Sequence, residues 1–280
     1  MASPRTGKES VGEQRRTGAE RPLLLTGLIV ATIGVVTLSA GWVRVALAFP
    51  TDVVELASDA VLAMMAIAVM TRMRWWRDVG FRRLTTLRDL RFFWVPLFPV
   101  LPALPAAVVA LSTQGAAGEL ERLGRWLAIA ALVGFVEEVA FRGLILRALA
   151  PRGVRRAAVV SSVLFGLMHA VNPLFGADLG ATLLQVGYAT AMGFAFAAVA
   201  LRTGTIWPLV AIHALVDVVG FVAADGTTAT ALAGADVLVA AVYATMFTAY
   251  GVLVLRAVES APGGPAASSP RDRLMGAPRR

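Results

Sequence analysis

The sequence predicts an all-α polytopic membrane protein, a bundle of about eight transmembrane helices. Hydrophobic residues make up 58% of the 280 residues and charged residues only 16%, whereas about 25% of the residues of a soluble domain are charged. The mean hydropathy is +0.72. Apolar runs of about 20 residues recur along the chain, and each is long enough to cross a lipid bilayer as a helix.

Eight segments carry this pattern in turn. They cover residues 23–49, 53–71, 92–112, 126–147, 157–173, 179–201, 205–223 and 235–256. The first run is too long for a cleaved signal peptide, so it is predicted to remain as the first span. The transmembrane domain is therefore 23–256, and the basic tails 1–22 and 257–280, rich in Gly, Pro, Ser, Ala and Arg, are predicted to be disordered.

The basic residues predict the orientation of the bundle. All of the 26 Lys and Arg residues except Arg44, Arg122, Arg125 and Arg142 fall in the tails or in loops on one side of the eight spans. Basic loops stay in the cytoplasm, so both termini are predicted to be cytoplasmic. The same rule accounts for the net charge of +8 without nucleic acid as a partner. The chain contains no cysteine, which excludes disulfides, thiol catalysis and cysteine-ligated metals.

A small set of polar side chains lies within the predicted spans. Ionisable groups at this depth cost about 2.5–3.5 kcal/mol on insertion scales, so they are candidates for function. The set consists of Glu137, Glu138, Arg142, His169, His213 and Asp217. It includes both histidines of the chain.

Helical periodicity separates the charges of the fourth span. Residues four apart share a helix face, so Glu138 and Arg142 are predicted to form a structural ion pair. Adjacent residues of an α-helix point about 100° apart. Glu137 is therefore predicted to point elsewhere, without a partner in its own helix, and to meet His169 of the fifth span.

The histidines are placed by the same spacing. Phe165 and His169 are four residues apart, as are His213 and Asp217. Asp217 is thus predicted to orient His213, and Phe165 to pack in the bundle. At about 1.5 Å per residue, Glu137, His169 and His213 lie roughly 12–18 Å from the cytoplasmic ends of their spans, which predicts one shared cavity.

This set of residues can support amide hydrolysis. A carboxylate beside an imidazole can act as a general base on water, and a second imidazole can donate to a developing oxyanion. A divalent metal such as zinc, held by Glu137, His169 and His213, is the alternative, because Glu and His are zinc ligands. The HExxH pattern, which puts two histidines on one helix face, is absent.

Three short motifs resemble a known family. They are "EEVAFR" (Glu137, Glu138 and Arg142), "FGLMH" (Phe165 and His169) and "HALVD" (His213 and Asp217). They match, in order, the EExxxR, FxxxH and HxxxN/D motifs of the CPBP intramembrane proteases, also called Abi or CAAX-processing proteases. This family includes the type II prenyl-protein endopeptidases and bacterial proteins linked to bacteriocin processing and immunity. The resemblance covers about residues 120–223.

The resemblance implies a role for each residue. Glu137 corresponds to the glutamate that activates water, and His169 to the histidine that assists it. His213 and Asp217 correspond to the pair proposed as an oxyanion hole. An ionised Asp217 cannot donate a hydrogen bond as asparagine does. The implied glutamate-water mechanism needs no metal, although the family is often labelled a metalloprotease.

The substrate expected is a membrane-associated peptide or protein that enters from the cytoplasmic leaflet. The excess of arginine over lysine suggests a bacterium with a GC-rich genome, and therefore a plasma-membrane location. Two other functions remain open. One is a non-enzymatic immunity or scaffold protein. The other is a transporter, against which the lack of an internal repeat counts.

Overall fold

The computed structural model describes residues 21–84, 86–113, 119–223 and 234–260, which form helices with short connections and no strand. In chain order the elements are α1 (Pro22–Leu47), α2 (Thr51–Met73), α3 (Trp76–Val79), a 3₁₀ turn (Leu87–Phe93), α4 (Trp94–Leu97), α5 (Val100–Thr113), α6 (Glu119–Glu137), a π-helical segment (Glu138–Ile145), α7 (Leu146–Leu149), a 3₁₀ turn (Ala150–Arg152), α8 (Val154–Met168), a 3₁₀ segment (His169–Phe175), α9 (Leu179–Thr203), α10 (Trp207–Ala223) and α11 (Gly234–Glu259). Apart from the ends of α1 and α11, the predicted disordered tails lie outside the described residues.

The helices confirm a multi-pass membrane protein. Five helices of the described residues are long and apolar enough to span a bilayer, namely α1, α2, α8 with its 3₁₀ extension, α9 and α11. The apolar helix α10 is shorter. The count of eight spans and the cytoplasmic placement of both termini stay predictions.

Two of the eight predicted spans are divided. The segment 92–112 breaks between α4 and α5, next to Pro99. Proline has no N–H to donate and its ring clashes with the preceding turn, so a continuous helix is interrupted there. The segment 126–147 is one helical rod, but it changes from α to π geometry after Glu137. That change falls on the candidate site.

Small residues allow the central helices to pack closely. The side chains of Ala195, Ala197 and Ala198 in α9 are fully buried. A Cβ on Gly166 of α8 would come within 1.9 Å of Thr190 Oγ1 in α9. Close approach of helix backbones at small residues is the usual way that helices associate in a bilayer, where no hydrophobic force drives them together.

Arg147 attaches the loop after α2 to the helix bundle. Its Nε donates to the carbonyl of Val79 at 2.9 Å, and its Nη2 donates to the carbonyl of Gly204 at 3.0 Å. Gly80, at φ +115°, leaves room for the guanidinium, because a Cβ there would lie 2.5 Å from Nη2. The arginine-rich end of the site helix is thereby fixed against two connections.

Candidate active site

The site is built where α6 and α10 approach each other. Gly134 of α6 lies against the α10 backbone, and a Cβ there would be 3.0 Å from both Ala214 N and Val210 O. It would also lie 3.4 Å from His213 Cβ. The missing side chain therefore lets His213 lie beside the two glutamates that follow Gly134 in the next helical turn.

A buried cluster of Glu138, Arg142 and His213 forms the base of the site. Glu138 Oε1 accepts from Arg142 Nη1 at 2.8 Å and lies 2.8 Å from His213 Nδ1. The side chains of Arg142 and Glu138 are only 1% and 0% exposed. The predicted ion pair is present, but Glu138 has a second partner that the sequence analysis did not assign.

The protonation of His213 follows from these contacts. A carboxylate paired with a guanidinium accepts hydrogen bonds and does not donate them, so His213 Nδ1 is the donor to Glu138. The other ring nitrogen, Nε2, lies 3.4 Å from Glu137 Oε2 and 3.7 Å from Asp217 Oδ2. Three groups that accept when deprotonated meet here, and the two carboxylate oxygens have no hydrogen-bond partner among the described residues.

Aromatic rings cover the other side of the arginine. The Arg142 guanidinium carbon lies 4.0 Å from the centroid of the Phe165 ring and 5.4 Å from that of Phe196. A Cβ on Gly193 would lie 3.2 Å from Arg142 Nη2. Phe165 is thus packed as predicted, and it also stabilises the buried cation through its ring face.

Glu137 and Asp217 form the more exposed part of the site. Their side chains are 26% and 22% exposed, against 4% for His213. Glu137 Oε2 and Asp217 Oδ2 are nevertheless buried atoms with no hydrogen-bond partner among the described residues. Both atoms point towards His213 Nε2, so a reacting group placed there would meet two unpartnered carboxylate oxygens.

His213, not His169, is the contact of Glu137. Glu137 and Glu138 both reach the imidazole of His213, at Nε2 and Nδ1 respectively. The prediction that Glu137 and His169 act together stays a prediction. Among the contacts of the described residues, none joins Glu137 to His169.

His213 has a shorter contact than the predicted one with Asp217. Glu138 Oε1 lies 2.8 Å from Nδ1, while Asp217 Oδ2 lies 3.7 Å from Nε2. The predicted neighbour is present, the hydrogen bond to the ring comes from α6, and an orienting role of Asp217 stays a prediction. The sequence contained one sign of the contact between Glu138 and α10. Gly134 precedes Glu138 by four residues, so a residue without a side chain lies on the same helix face and lets another helix approach there.

His169 lies at the end of α8, half-buried, in edge-to-face contact with Phe165 at 5.2 Å between ring centroids. Its Nδ1 is 3.0 Å from the carbonyl oxygen of Phe165. A carbonyl can only accept, so Nδ1 donates and Nε2 is left as the acceptor of a neutral ring. The two histidines therefore present different chemistry: His169 presents an acceptor nitrogen, and His213 presents a nitrogen beside two carboxylates.

The predicted metal ligands do not converge. Among the residues that the structure describes, no three His, Asp or Glu side chains are placed so that they could hold one metal ion. Glu137 and His213 are neighbours, but His169 is not in contact with either glutamate. The donor set does not fit a zinc site of three protein ligands.

The fold and site define a class: a multi-pass helical membrane protein with carboxylates and imidazoles at the meeting point of its central helices. Residues 119–219 match a family model described as Rce1-like, the type II CAAX prenyl endopeptidases. The match confirms the family resemblance indicated by the three motifs and covers all seven motif residues. The family implies a CAAX-protease-like intramembrane endopeptidase. No match was found among the curated proteins or the solved structures.

Proposed function

We propose that this protein is an intramembrane endopeptidase that hydrolyses a peptide bond of a membrane-associated protein or peptide, with Glu137 activating the water. The observation that supports this proposal most directly is the contact between Glu137 Oε2 and His213 Nε2 at 3.4 Å. Both residues lie inside the region that matches the protease family. The contact brings a base next to a proton donor in a site surrounded by apolar helices.

Glu137 is the general base in this proposal. It is the more exposed of the two glutamates, and its Oε2 has no hydrogen-bond partner among the described residues. Glu138 is excluded from this role because it is fully buried and is the counter-ion of Arg142, although its Oε2 also has no hydrogen-bond partner among the described residues. A base must have a free lone pair within reach of the water, and Glu137 meets that condition.

His213 stabilises the oxyanion. Its Nδ1–H is engaged by Glu138, so only Nε2 can face a substrate. With a proton on Nε2, the imidazolium donates to the carbonyl oxygen as negative charge develops there. Asp217, 3.7 Å from Nε2, favours that protonated form by its charge.

His169 assists the water. Because its Nδ1–H donates to the Phe165 carbonyl, its Nε2 is free to accept a hydrogen bond from water on the side opposite His213. The water oxygen then attacks the carbonyl carbon while its proton passes to Glu137. Glu137 returns that proton to the amine as the C–N bond breaks, which leaves a carboxylic acid and an amine as products.

No metal takes part in the proposed steps, in keeping with the separated donor set. The substrate is a membrane-associated peptide or lipid-anchored protein, and nucleic acid is not a partner. We place the protein in the plasma membrane of a bacterium, because of the excess of arginine over lysine and the resemblance to bacterial members of the family. Glu138, Arg142 and Phe165 support the site, and Asp217 acts with His213.

Cleavage of a peptide in proteoliposomes tests the proposal. Two fluorogenic probes, a farnesylated peptide ending in a CAAX sequence and an unmodified hydrophobic peptide, separate a requirement for the lipid anchor from cleavage in general. Glu137→Gln is expected to lower cleavage by a factor of about 10² or more, as loss of a general base does. Glu121→Gln is the matched control, because the Glu121 side chain is 84% exposed.

Equal cleavage by Glu137→Gln and wild type would refute the role of Glu137. If neither probe is cleaved by wild-type protein that binds both of them, the non-enzymatic alternative is favoured instead. A role in immunity or scaffolding further predicts that Glu137→Gln leaves the cellular phenotype intact. Uptake of solute into proteoliposomes, absent from empty ones, would support a transporter.

A further inference from the structure

A buried serine of α8 is hydrogen-bonded to the backbone of the site helix. Ser161 is 1% exposed, and its hydroxyl donates to the carbonyl oxygen of Phe141 at 2.7 Å. Phe141 lies in the π-helical segment Glu138–Ile145, which also carries Glu138 and Arg142 of the candidate site. The hydrogen bond therefore joins α8 to the segment that carries the buried ion pair.

The Phe141 carbonyl does not depend on Ser161 for a hydrogen-bond partner. The backbone N–H of Leu146, five residues further along, also donates to it. A spacing of five residues is the π-helical register, and in an α-helical turn the donor would be Ile145. The additional bond from Ser161 thus holds this carbonyl at the place where the segment departs from α geometry.

The neighbouring serine makes a different hydrogen bond. A serine within a helix often donates to the carbonyl four residues before it. Ser162 does so, with its hydroxyl 2.6 Å from the carbonyl oxygen of Ala158. Ser161 has the equivalent carbonyl at Ala157, but its hydroxyl donates to the site helix. Ser162 is 2% exposed, so the two serines are equally buried and differ in the helix to which they are bonded.

The same face of α8 contacts Phe141 at a second point. Phe165 lies four residues after Ser161 and so shares its helix face. The ring centroids of Phe165 and Phe141 are 5.2 Å apart in an edge-to-face arrangement. The Phe165 centroid also lies 4.0 Å from the guanidinium carbon of Arg142. This face of α8 therefore contacts both the backbone and the side chain of Phe141.

The bond at the carbonyl reaches the site through Arg142. The carbonyl of Phe141 and the N and Cα atoms of Arg142 belong to one planar peptide unit, so a bond to this oxygen also restrains the Arg142 backbone. Arg142 Nη1 donates to Glu138 Oε1 at 2.8 Å. The same oxygen lies 2.8 Å from His213 Nδ1. Direct contacts thus lead from the serine hydroxyl to the imidazole.

We propose that Ser161 is a positioning residue of the site. Its hydroxyl fixes the peptide unit between Phe141 and Arg142, and thereby the ion pair of Arg142 with Glu138 that holds Nδ1 of His213. Ser161 acts through these groups and not on the substrate. Its effect on cleavage rests on the proposed proteolysis, whereas its effect on the His213 ring does not.

NMR of the histidine ring nitrogens tests the positioning directly, because the chain has only two histidines. The protein is prepared in detergent micelles with isotope-labelled histidine and a purification tag that contains none, and the spectrum of His169→Ala assigns the signals. Ser161→Ala is expected to shift the Nδ1 signal of His213 beyond its linewidth, since the hydrogen bond at one ring nitrogen sets the protonation of the ring. Ser162→Ala, the matched control, is expected to leave that signal in place.

The His169 signals report on α8 itself, because His169 Nδ1 is bonded to the carbonyl of Phe165 in that helix. They are expected to stay unchanged in both serine variants. An unchanged His213 signal in Ser161→Ala would overturn the proposal. Equal shifts in both serine variants, or shifts of both histidines in Ser161→Ala, would also overturn it, since they would indicate a general loosening of α8.

Cleavage of the peptide probe tests whether this position matters for the chemistry. Ser161→Ala is expected to lower kcat about ten-fold with KM nearly unchanged, because a small misplacement of a catalytic group slows the chemical step. Ser162→Ala is expected to cleave like wild type. A shifted His213 signal with an unchanged kcat, or a change confined to KM, would refute the catalytic consequence. If wild type cleaves no probe, the proposed proteolysis fails, while the His213 signal still decides whether Ser161 positions the ring.

Discussion

Glu138→Gln and Glu137→Gln are the same chemical change at adjacent positions, and the structure predicts opposite outcomes. Glu138 is fully buried and accepts from Arg142 at 2.8 Å and from His213 at 2.8 Å. Removing its charge leaves the Arg142 guanidinium without its counter-ion. Glu137 is 26% exposed and its Oε2 has no hydrogen-bond partner among the described residues, and after its loss Arg142 and His213 both keep Glu138 as a partner.

The magnitude follows from the buried pair. Removing one partner of a buried ion pair costs about 3–5 kcal/mol. A glutamine oxygen can still accept one of the two hydrogen bonds, so Glu138→Gln is expected at the lower end, about 3 kcal/mol. That loss lowers the folding equilibrium constant by more than about 100-fold. For Glu137→Gln, a change below about 1 kcal/mol is expected, as for a partly exposed charge.

The free energy of unfolding is measured by titrating SDS into detergent micelles that contain each variant and following tryptophan fluorescence. The double variant Glu138→Gln/Arg142→Met supplies the decisive comparison. Replacing both members of a buried pair by neutral groups is often nearly neutral, so the double variant is expected to regain most of the stability that Glu138→Gln loses.

The ion-pair argument would be wrong if Glu138→Gln unfolded at the same SDS fraction as wild type. It would also be wrong if the double variant were no more stable than Glu138→Gln alone. In the cleavage assay Glu137→Gln is expected to lose activity by a factor of about 10² although it unfolds like wild type. A loss of activity without a loss of stability distinguishes a catalytic role from a folding role.

Three further outcomes are expected. Gly134→Ala should lower cleavage roughly ten-fold, because a Cβ 3.0 Å from the α10 backbone shifts His213 by a few tenths of an ångström. The control Gly124→Ala, where no atom lies within 4 Å of the added carbon, should cleave like wild type. Equal activities of the two variants would refute the close-packing argument. Arg147→Met should lower the free energy of unfolding by about 2–4 kcal/mol, because two hydrogen bonds to backbone carbonyls are lost. The control Arg72→Met replaces an exposed arginine and should leave the free energy of unfolding unchanged. Equal SDS midpoints of the two variants would contradict the role of Arg147. Treatment with EDTA should leave cleavage unchanged, and a loss that zinc restores would show that a metal takes part.

The sequence was sufficient to predict the helical membrane class and the Glu138–Arg142 pair. Each depends on a short-range rule: the length needed to cross a bilayer, the cost of a buried charge, or the spacing of residues on one helix. The pairing of Glu138 with His213 depends instead on how α6 approaches α10. No spacing within one helix contains that distance, so the sequence predicted only the neighbour of His213 on its own helix, Asp217, which lies 3.7 Å from Nε2.

The contact of Glu137 with His213 and the π-helical segment after Glu137 were not predicted. The periodicity argument treated 126–147 as a uniform α-helix, and the sequence offers no proline or glycine pair that marks the change to π geometry. Such insertions cost stability and are held in place by tertiary packing. Here the packing consists of Arg142 between aromatic rings and the close contact at Gly134, which are properties of four helices together.

The position of His213 explains how one motif provides both a fixed and a reactive carboxylate. Both carboxylates reach its ring, Glu138 at Nδ1 and Glu137 near Nε2. Glu138 thereby fixes which nitrogen of His213 faces Glu137 and Asp217. The two glutamates act on opposite nitrogens of a single imidazole. The buried pair of Glu138 with Arg142 therefore also positions the ring nitrogen that faces the substrate.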